Sequence, residues 1–238
     1  MLRDLLTPAP SDRRPRRSLA ITTGLGAVLT LFIATCRRVR RLHRRLEQAL
    51  YQASHDQLTG LPNREAALTH LFDSPVDLVG LLDLDDFKSV NDRFGHQVGD
   101  EFLIIIATRL ENAIAGQGIA ARLAGDEFLL IWTQPGPPPI QRATAVLEEV
   151  CAPLSIWGHA LTPSASLGLT RPGPDVADPA WLIGEADEAM YEAKHIARQA
   201  DRDDAVAGPR VRLYPALPAG SSRPAQWAAV HARSPTDG

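Results

Sequence analysis

The stretch ARLAGDEFLL, residues 121–130, contains the pattern on which the fold assignment depends. A short apolar segment, a turn containing Gly125 and a second apolar segment that ends at Trp132 predict a β-hairpin. Asp126 and Glu127 stand side by side at this turn, and two carboxylates about 4 Å apart repel each other by about 4 kcal/mol at an effective dielectric constant of about 20. From this stretch alone, a solvated turn and a metal site both remain open.

Further strands and helices alternate around this hairpin. Residues 76–83, VDLVGLLD, form an apolar run of strand length that ends in acids, which predicts a buried central strand. Helices are predicted at about residues 99–113, 139–152 and 179–199, with short strands near residues 154–157 and 165–169. Strands interleaved with helices predict an α/β fold with a partly antiparallel sheet.

The charge is unevenly distributed along the 238 residues. The first 50 residues hold eleven arginines against three acids, a net charge of +8, while the whole chain carries −3, so the remaining residues carry −11. An acidic body argues against nucleic acid as a partner. The two cysteines, Cys36 and Cys151, are too few for a disulfide framework and fit a reducing compartment.

Residues 19–36 contain no charged side chain, and arginines flank them on both sides. As a helix this stretch would be about 27 Å long, close to the hydrocarbon thickness of about 30 Å. We therefore expect a single transmembrane helix, with a cleaved signal peptide as the alternative. The six arginines in residues 37–45 would keep the following domain in the cytoplasm, so the expected localisation is the cytoplasmic membrane, with the membrane as a partner.

The predicted organisation has five parts. They are a basic arm (1–18), the transmembrane helix (19–36), a juxtamembrane helix or short coiled coil (37–55), a folded domain (56–202) and a disordered tail (203–238) that is rich in Pro, Ala, Gly, Ser and Arg. The third part has an apolar seam that would either pair two helices or pack on its own domain. The seam consists of Val39, Leu42, Leu46, Ala49 and Ala53.

A second group of acids follows the central strand, in LLDLDDFKSVNDRFGHQVGDEFL, residues 81–103. Because side chains alternate along a strand, Asp83 and Asp85 are expected on one side and Leu84 on the other. Paired carboxylates suit a hard cation such as Mg²⁺, although Asp85 and Asp86 are also helix N-cap candidates, the interpretation we prefer for Asp86.

The two acidic segments favour a metal site if they meet in the fold. Asp83 would then lie beside Asp126 and Glu127, and three carboxylates at one spot are costly without a metal. Two cations between them would position a triphosphate and lower the pKa of an attacking hydroxyl.

Four ordered segments, DQLTGLPNR, DLDDFKSVNDRFGHQVGD, RLAGDEF and YEAKHIAR, resemble the diguanylate cyclase (GGDEF) family over about residues 50–202. The resemblance implies an α/β fold of the nucleotide-cyclase-like palm type, with a ferredoxin-like central sheet flanked by helices and, in this chain, preceded by the transmembrane helix. It also implies an enzyme that condenses two GTP molecules into cyclic di-GMP across a homodimer, with cyclic di-GMP receptors as indirect partners.

The resemblance assigns roles to the acids. Asp83, Asp126, Glu127 and the backbone carbonyl of Leu84 are implied to bind two Mg²⁺ ions per active site, for which Mn²⁺ could substitute. Asp126 and Glu127 are also the implied catalytic residues, with Glu127 activating the 3′-hydroxyl of GTP.

The resemblance further implies that Asn91 and Asp100 bind guanine. A carboxylate can accept from both N1–H and the 2-amino group of guanine, whereas adenine has no donor at either place. Lys194 and Arg198, which share a helix face, are implied to bind phosphates, with Lys88 as a further candidate. Without the resemblance, the first pair would be ordinary loop residues and the second a solvated basic stripe.

The sequence departs from the family pattern in two places. Ala124 precedes Gly125 where the signature has its first glycine, which costs little if φ is negative and about 1–2 kcal/mol if it is left-handed. The alternative function is therefore a catalytically impaired GTP-binding regulatory module. Ala115 and Gly118 stand at the positions of the family's RxxD product-inhibition motif, so we expect no feedback inhibition through that site.

Overall fold

The computed structural model describes residues 16–173, 178–202 and 211–214, with side chains left out at residues 16–30, 196–202 and 214. Most of the predicted basic arm and most of the predicted tail lie outside the described residues. The chain divides into two compact units, residues 1–53 and 54–238.

The described part of the first unit is helical and belongs to α1 (Arg16–Ser54). Three apolar residues of the predicted seam, Val39, Leu42 and Leu46, are more than half exposed in the single chain. Their spacing of three and four places them along one side of the helix. Pairing of two such helices through this seam stays a prediction.

The expectation of a transmembrane helix has to be corrected. Among the described residues no helix is long and apolar enough to cross a membrane. The side chains of α1 are described from Leu31 onward, and after only six residues this part enters the stretch of six arginines between Arg37 and Arg45. The side chains of residues 19–30 lie outside the description, and the expectation of a single-pass protein at the cytoplasmic membrane is overturned.

The second unit is a five-stranded sheet with helices on both faces. Its strands follow the order β2-β3-β1-β6-β7, and all neighbours are antiparallel except β6 and β7, while β4 and β5 form a separate hairpin. In chain order the elements are α2 (Arg64–Asp73), β1 (Leu78–Leu84), α3 (Phe87–Phe94), α4 (His96–Ile114), β2 (Gly118–Ala124), β3 (Glu127–Trp132), α5 (Pro139–Val150), β4 (Leu154–Ile156), β5 (His159–Leu161), β6 (Ala165–Thr170), α6 (Pro179–Arg202) and β7 (Val211–Tyr214).

The sheet separates two apolar clusters, and β1 contributes to both. Leu78, Leu82 and Leu84 lie in the cluster with α4 and α5, whereas Val79 and Leu81 lie in the cluster with α2 and α6. This division follows from the alternation of side chains along a strand. The same alternation places Asp83 on the side of β1 that faces the cluster with α6.

The predicted hairpin and buried central strand are confirmed. β2 and β3 are joined by the turn at residues 125–126, and β1 is the middle strand of the sheet. The predicted disordered tail is wrong at Val211–Tyr214, which forms β7 beside β6. These four residues become ordered because Val211 and Leu213 pack against the apolar core.

Candidate active site

Three acids lie at one end of the two central strands. Asp83 of β1 and Glu127 of β3 are paired residues in the antiparallel register. Asp126 precedes Glu127, and its carbonyl oxygen accepts a hydrogen bond from the Leu84 amide at 3.3 Å. Strand pairing therefore places the two acidic segments on adjacent strand ends, which is the condition that the sequence left open.

The environment makes two of these acids harder to ionise. Burial raises the pKa of Asp83, as do the neighbouring carboxylates of Asp126 and Asp85, against the opposing effect of Lys194. Burial also raises the pKa of Glu127. Negative charge is thus concentrated in a partly desolvated place.

Two residues outside the predicted set act on Glu127. Next to burial, which is the larger cause, the carboxylate of Asp187 on α6 raises the pKa of Glu127. The exposed Arg64 of α2 lowers it. Sequence reasoning missed both, because their proximity to Glu127 depends on how α2 and α6 pack on the same face of the sheet.

The donors suit a hard divalent cation in kind, since carboxylate and carbonyl oxygens are the ligands that Mg²⁺ prefers. The raised pKa values of Asp83 and Glu127 point the same way, because a bound cation would offset the crowded negative charge. Among the described residues, however, no three acidic, histidine or cysteine side chains are close enough to hold a metal ion. The assignment of Asp83, Leu84, Asp126 and Glu127 as ligands stays a prediction.

Lys194 contacts the first of these acids directly. Its ammonium group is hydrogen-bonded to the carboxylate of Asp83 and lies 4.0 Å from that of Asp85. Asp83 and Asp85 therefore project to the same side of the chain, as the alternation predicts, and Leu84 is buried on the other side. Asp85 also accepts hydrogen bonds from the hydroxyls of Ser164 at 2.8 Å and Ser166 at 3.1 Å.

The other two predicted phosphate ligands lie on α6 and α3. Arg198 follows Lys194 by one turn of α6, but its side chain lies outside the described residues. Lys88 is exposed on α3. Asp86 occupies the N-cap position of α3 as expected, yet its side chain makes no capping hydrogen bond and its φ is 54°.

The predicted guanine ligands stand on two adjoining helices. Asn91 belongs to α3 and is half-buried, while Asp100 belongs to α4 and is exposed. One residue, Gly95, ends the first helix and begins the second, and its amide donates to the Asn91 carbonyl at 2.9 Å. The corner between the helices thus brings both polar residues to the same region of the surface.

Ala124 carries no backbone penalty. Among the described residues, Asp86 and Trp157 are the non-glycine residues with positive φ, so Ala124 has a conformation open to any residue. It ends β2 and pairs with Glu127, and the left-handed position of the turn falls on Gly125, with φ 49°. Alanine in place of glycine at residue 124 therefore corresponds to the less costly of the two cases that the sequence left open.

Arg122 binds the backbone of this turn through the carbonyl of Gly125. Its guanidinium donates to the Gly125 carbonyl at 2.9 and 2.7 Å and to Asp56 at 2.9 Å. Burial would raise the pKa of Asp56, but hydrogen bonds from Thr59 and Arg122 outweigh it, and the pKa lies below its ordinary value. Beside the turn, a cleft of about 390 Å³ extends between α2 and β2.

A protein-family comparison decides the assignment. The family described as the diguanylate cyclase GGDEF domain matches residues 53–200. The chain belongs to this family. The resemblance inferred from the four sequence segments is confirmed, and the central sheet flanked by helices agrees with the GGDEF cyclase fold.

Two curated relatives illustrate how far the similarity reaches. An uncharacterized protein of Mycobacterium tuberculosis (strain ATCC 25618 / H37Rv) is 39% identical over 156 residues, which cover 61% of this chain and 25% of the relative. Diguanylate cyclase TpbB of Pseudomonas aeruginosa (strain PAO1) is 36% identical over 173 residues, 68% of this chain and 40% of the relative. The chain thus spans between a quarter and two fifths of these relatives' lengths.

A solved structure supports the fold. The coiled coil and GGDEF domain of DgcB from Caulobacter crescentus, in complex with c-di-GMP, matches with a TM-score of 0.67. The alignment covers 79% of this chain and all of that chain, at 24% sequence identity. At this identity the likeness establishes the GGDEF fold alone.

One of the two positions of the family's product-inhibition motif has no room for a side chain. Ala115 is the C-cap of α4, and Gly118 begins β2. A β-carbon on Gly118 would overlap the carbonyl oxygen of Ile131 and lie 2.8 Å from its carbonyl carbon. The paired strand β3 therefore leaves no space for an aspartate at residue 118.

Proposed function

We propose that this chain is a diguanylate cyclase that condenses two GTP molecules into cyclic di-GMP in a homodimer. The pairing of Asp83 with Glu127 at the ends of two central strands is the observation that carries the proposal. Both acids have raised pKa values, and Lys194 lies against one of them. This arrangement combines acids for proton transfer and metal binding with a cation for phosphate.

Glu127 is the proposed general base. Its raised pKa brings it closer to the working pH, where a base transfers protons most effectively. It would take the proton of the 3′-hydroxyl as the O3′–Pα bond forms and the bond from Pα to pyrophosphate breaks. Two such transfers close the ring and release two pyrophosphates.

Asp83, Asp126 and the Leu84 carbonyl, together with Glu127, would hold two Mg²⁺ or Mn²⁺ ions. When bound, these ions supply charge neutralisation at the triphosphate and acidify the attacking hydroxyl. Lys194 must exchange its contact with Asp83 for the phosphates, since both are anions that compete for one ammonium group. Arg198 and Lys88 are further proposed phosphate ligands.

Asn91 and Asp100 are the proposed guanine ligands. The exposed carboxylate of Asp100 accepts from N1–H and the 2-amino group, and the neighbouring amide of Asn91 adds a donor and an acceptor. A base without these complementary groups leaves polar atoms unpaired, which disfavours ATP.

Each domain would hold one GTP, so two domains must face each other. The exposed seam of Val39, Leu42 and Leu46 on α1 supports the pairing of two helices, because apolar residues at this spacing form coiled-coil interfaces. Pairing would raise the local concentration of the second domain.

The competing proposal is a GTP-binding regulatory module without turnover. The permitted backbone of Ala124 removes the main reason for expecting a defect in the signature turn. The contact of Lys194 with Asp83 favours this second proposal, because a site that keeps the contact lacks the free ammonium group that turnover requires. Turnover therefore has to be measured separately from binding.

Incubation of the full chain with GTP and Mg²⁺ tests the proposal, with cyclic di-GMP and pyrophosphate measured by chromatography. We expect product from the wild type and none from Asp126→Ala. Asp73→Ala is the matched control, because Asp73 is an exposed acid at the end of α2. Binding of a fluorescent GTP analogue without any product, also in a forced dimer, would establish the regulatory module instead.

We also propose that product does not inhibit this chain through the RxxD position. Neither Ala115 nor Gly118 offers a charged group, and Gly118 faces the Ile131 carbonyl. Initial rates should be unchanged by micromolar cyclic di-GMP. Inhibition that a substitution near Ala115 abolishes would refute this.

A further inference from the structure

One contact at the corner between α3 and α4 is closer than any side chain would allow. The side-chain amide of Asn91 occupies the space in which a β-carbon on Gly99 would lie. A β-carbon on Gly99 would overlap Oδ1 of Asn91 and lie 2.9 Å from its Cγ, which is below the distance that β-carbons normally keep. Asn91 can occupy this place only because residue 99 is glycine.

The surroundings determine which partner would move. Gly99 is buried, and its neighbours on α4, Val98 and Phe102, are 2% and 3% exposed in the apolar core. On α3 the ring of Phe87 stacks on Phe102 with centroids 5.9 Å apart. The helix backbone is therefore held by its core contacts, whereas the half-buried side chain of Asn91 has solvent on one side. A methyl group at residue 99 would push Asn91 outward.

This contact also links Asn91 to Asp100. Asp100 is the next residue after Gly99 and extends from the same turn of α4. The backbone of Asn91 is fixed by its hydrogen bond to the Gly95 amide, and its side chain is fixed by the surface of Gly99. The place of the Asn91 side-chain amide beside the residue that precedes Asp100 thus depends on one glycine.

We propose that Gly99 is a specificity-positioning residue, which holds the Asn91 amide beside the Asp100 carboxylate so that both meet one purine base. The inference rests on the proposed role of these two residues in guanine binding. Polar groups discriminate between bases only when their mutual position is fixed, because a displaced group no longer penalises the wrong base.

A double-mutant cycle on the full chain tests this, with Gly99→Ala, Asn91→Ala and the double variant. Binding of GTP and ATP is measured by calorimetry. We expect Gly99→Ala to weaken GTP binding about tenfold with little change for ATP. The double variant should bind GTP no more weakly than Asn91→Ala, since the truncated side chain leaves space for the methyl group. Equal and additive losses would overturn the inference.

Thermal unfolding of the same four proteins gives a readout that does not depend on nucleotide. Alanine is the better helix former, so Gly99→Ala should raise the unfolding temperature when Asn91 is truncated and lower it when Asn91 is present. If Gly99→Ala does not fold but the double variant does, the contact is equally established. If neither folds, the clash is not with Asn91 and the inference fails.

The two measurements separate this inference from the proposed function. If Asn91→Ala and Asp100→Ala leave the preference for GTP over ATP unchanged, guanine binding by this pair is wrong, whatever the unfolding cycle gives. If Asn91→Ala changes the preference and Gly99→Ala does not, guanine binding stands and the positioning role is wrong. Gln97→Ala, an exposed change in the same turn of α4, is the matched control and should alter neither measurement.

Discussion

The central strand has an acid near each end, and the two acids have opposite surroundings. Asp77, just before β1, accepts a hydrogen bond from Arg142 at 3.0 Å and lies 3.4 Å from Arg171. Asp83, near the other end, pairs with Lys194. At the first end two guanidinium groups face one carboxylate, and these charges hold β1, α5 and the end of β6 together.

At the second end the acids outnumber the cations. Burial raises the pKa of Asp83, and the carboxylates of Asp126 and Asp85 add to this; burial likewise raises the pKa of Glu127, and Asp187 adds to it. The comparison teaches that β1 has one end whose charges are compensated within the fold and another whose negative charge is left for a bound cation to offset. The first end should matter for stability and the second for chemistry.

The largest expected effect is on chemistry, from Glu127→Gln. Loss of the general base should lower the rate of cyclic di-GMP formation by about 10²- to 10⁴-fold. The amide keeps the shape of the side chain, so the protein should remain folded. Rates are measured with GTP and Mg²⁺, and Asp73→Asn removes one charge from an exposed position as the control. Retention of the full rate would show that Glu127 is not the base.

The next effect is on stability, from Asp77→Ala. The Arg142 side chain is only 3% exposed, and a buried charge that loses its partner costs about 3–5 kcal/mol. Urea unfolding measures the loss, and the activity per folded molecule should be unchanged. Arg171→Ala is the matched control, because this partner of Asp77 is 45% exposed and should cost about 0–1 kcal/mol. Equal losses from both variants would contradict the assigned role of the buried pair.

A smaller effect is expected from Gly168→Ala, which tests how α6 positions Lys194. A β-carbon on Gly168 would overlap the backbone of Ala186 and Met190 in α6. The helix would have to move off the sheet, at a cost of about 1–3 kcal/mol, and GTP binding should weaken as Lys194 shifts.

Gly80→Ala is the control for this change. The atoms nearest to its β-carbon would be side-chain atoms of Leu169, Trp132 and Leu167 at 3.1–3.2 Å, all of which belong to other strands of the sheet. It should therefore cost stability without weakening GTP binding. Both quantities are measured by urea unfolding and calorimetry, and a weaker affinity in Gly80→Ala alone would contradict the argument.

Period-two alternation in the sequence predicted the parts of the site that lie along strands. The positions of Asp83 and Asp85 on one side and of Leu84 on the other follow from it, whereas the hairpin that carries Glu127 followed from two apolar segments around a turn. Alternation works here because the strands are long and apolar, so that register and sidedness are determined together.

The parts that sequence reasoning missed depend on packing between distant segments. Arg122 and Asp56 are 66 residues apart, and no local pattern indicates that they pair. Asp187 approaches Glu127 only because α6 packs closely on the sheet at Gly168. The tail contained an apolar alternation at Val211–Tyr214, but four residues among Pro, Gly and Ala are too short a signal for a strand.

The smallest expected effect distinguishes the two ends of β1 by pH. The pKa of Glu127 is raised in the folded state, so folding favours its protonated form. The stability from this group is fully present below the ordinary pKa of glutamate, and is lost as the pH rises through the raised value. Glu127→Gln should therefore be more stable than the wild type at neutral pH, with a difference that vanishes as the pH falls through the same window. Asp77→Asn should instead be less stable than the wild type at neutral pH. Urea unfolding between pH 4 and 8 measures both differences, and a loss of stability at neutral pH in Glu127→Gln would mean that the charge at the second end is already compensated within the fold.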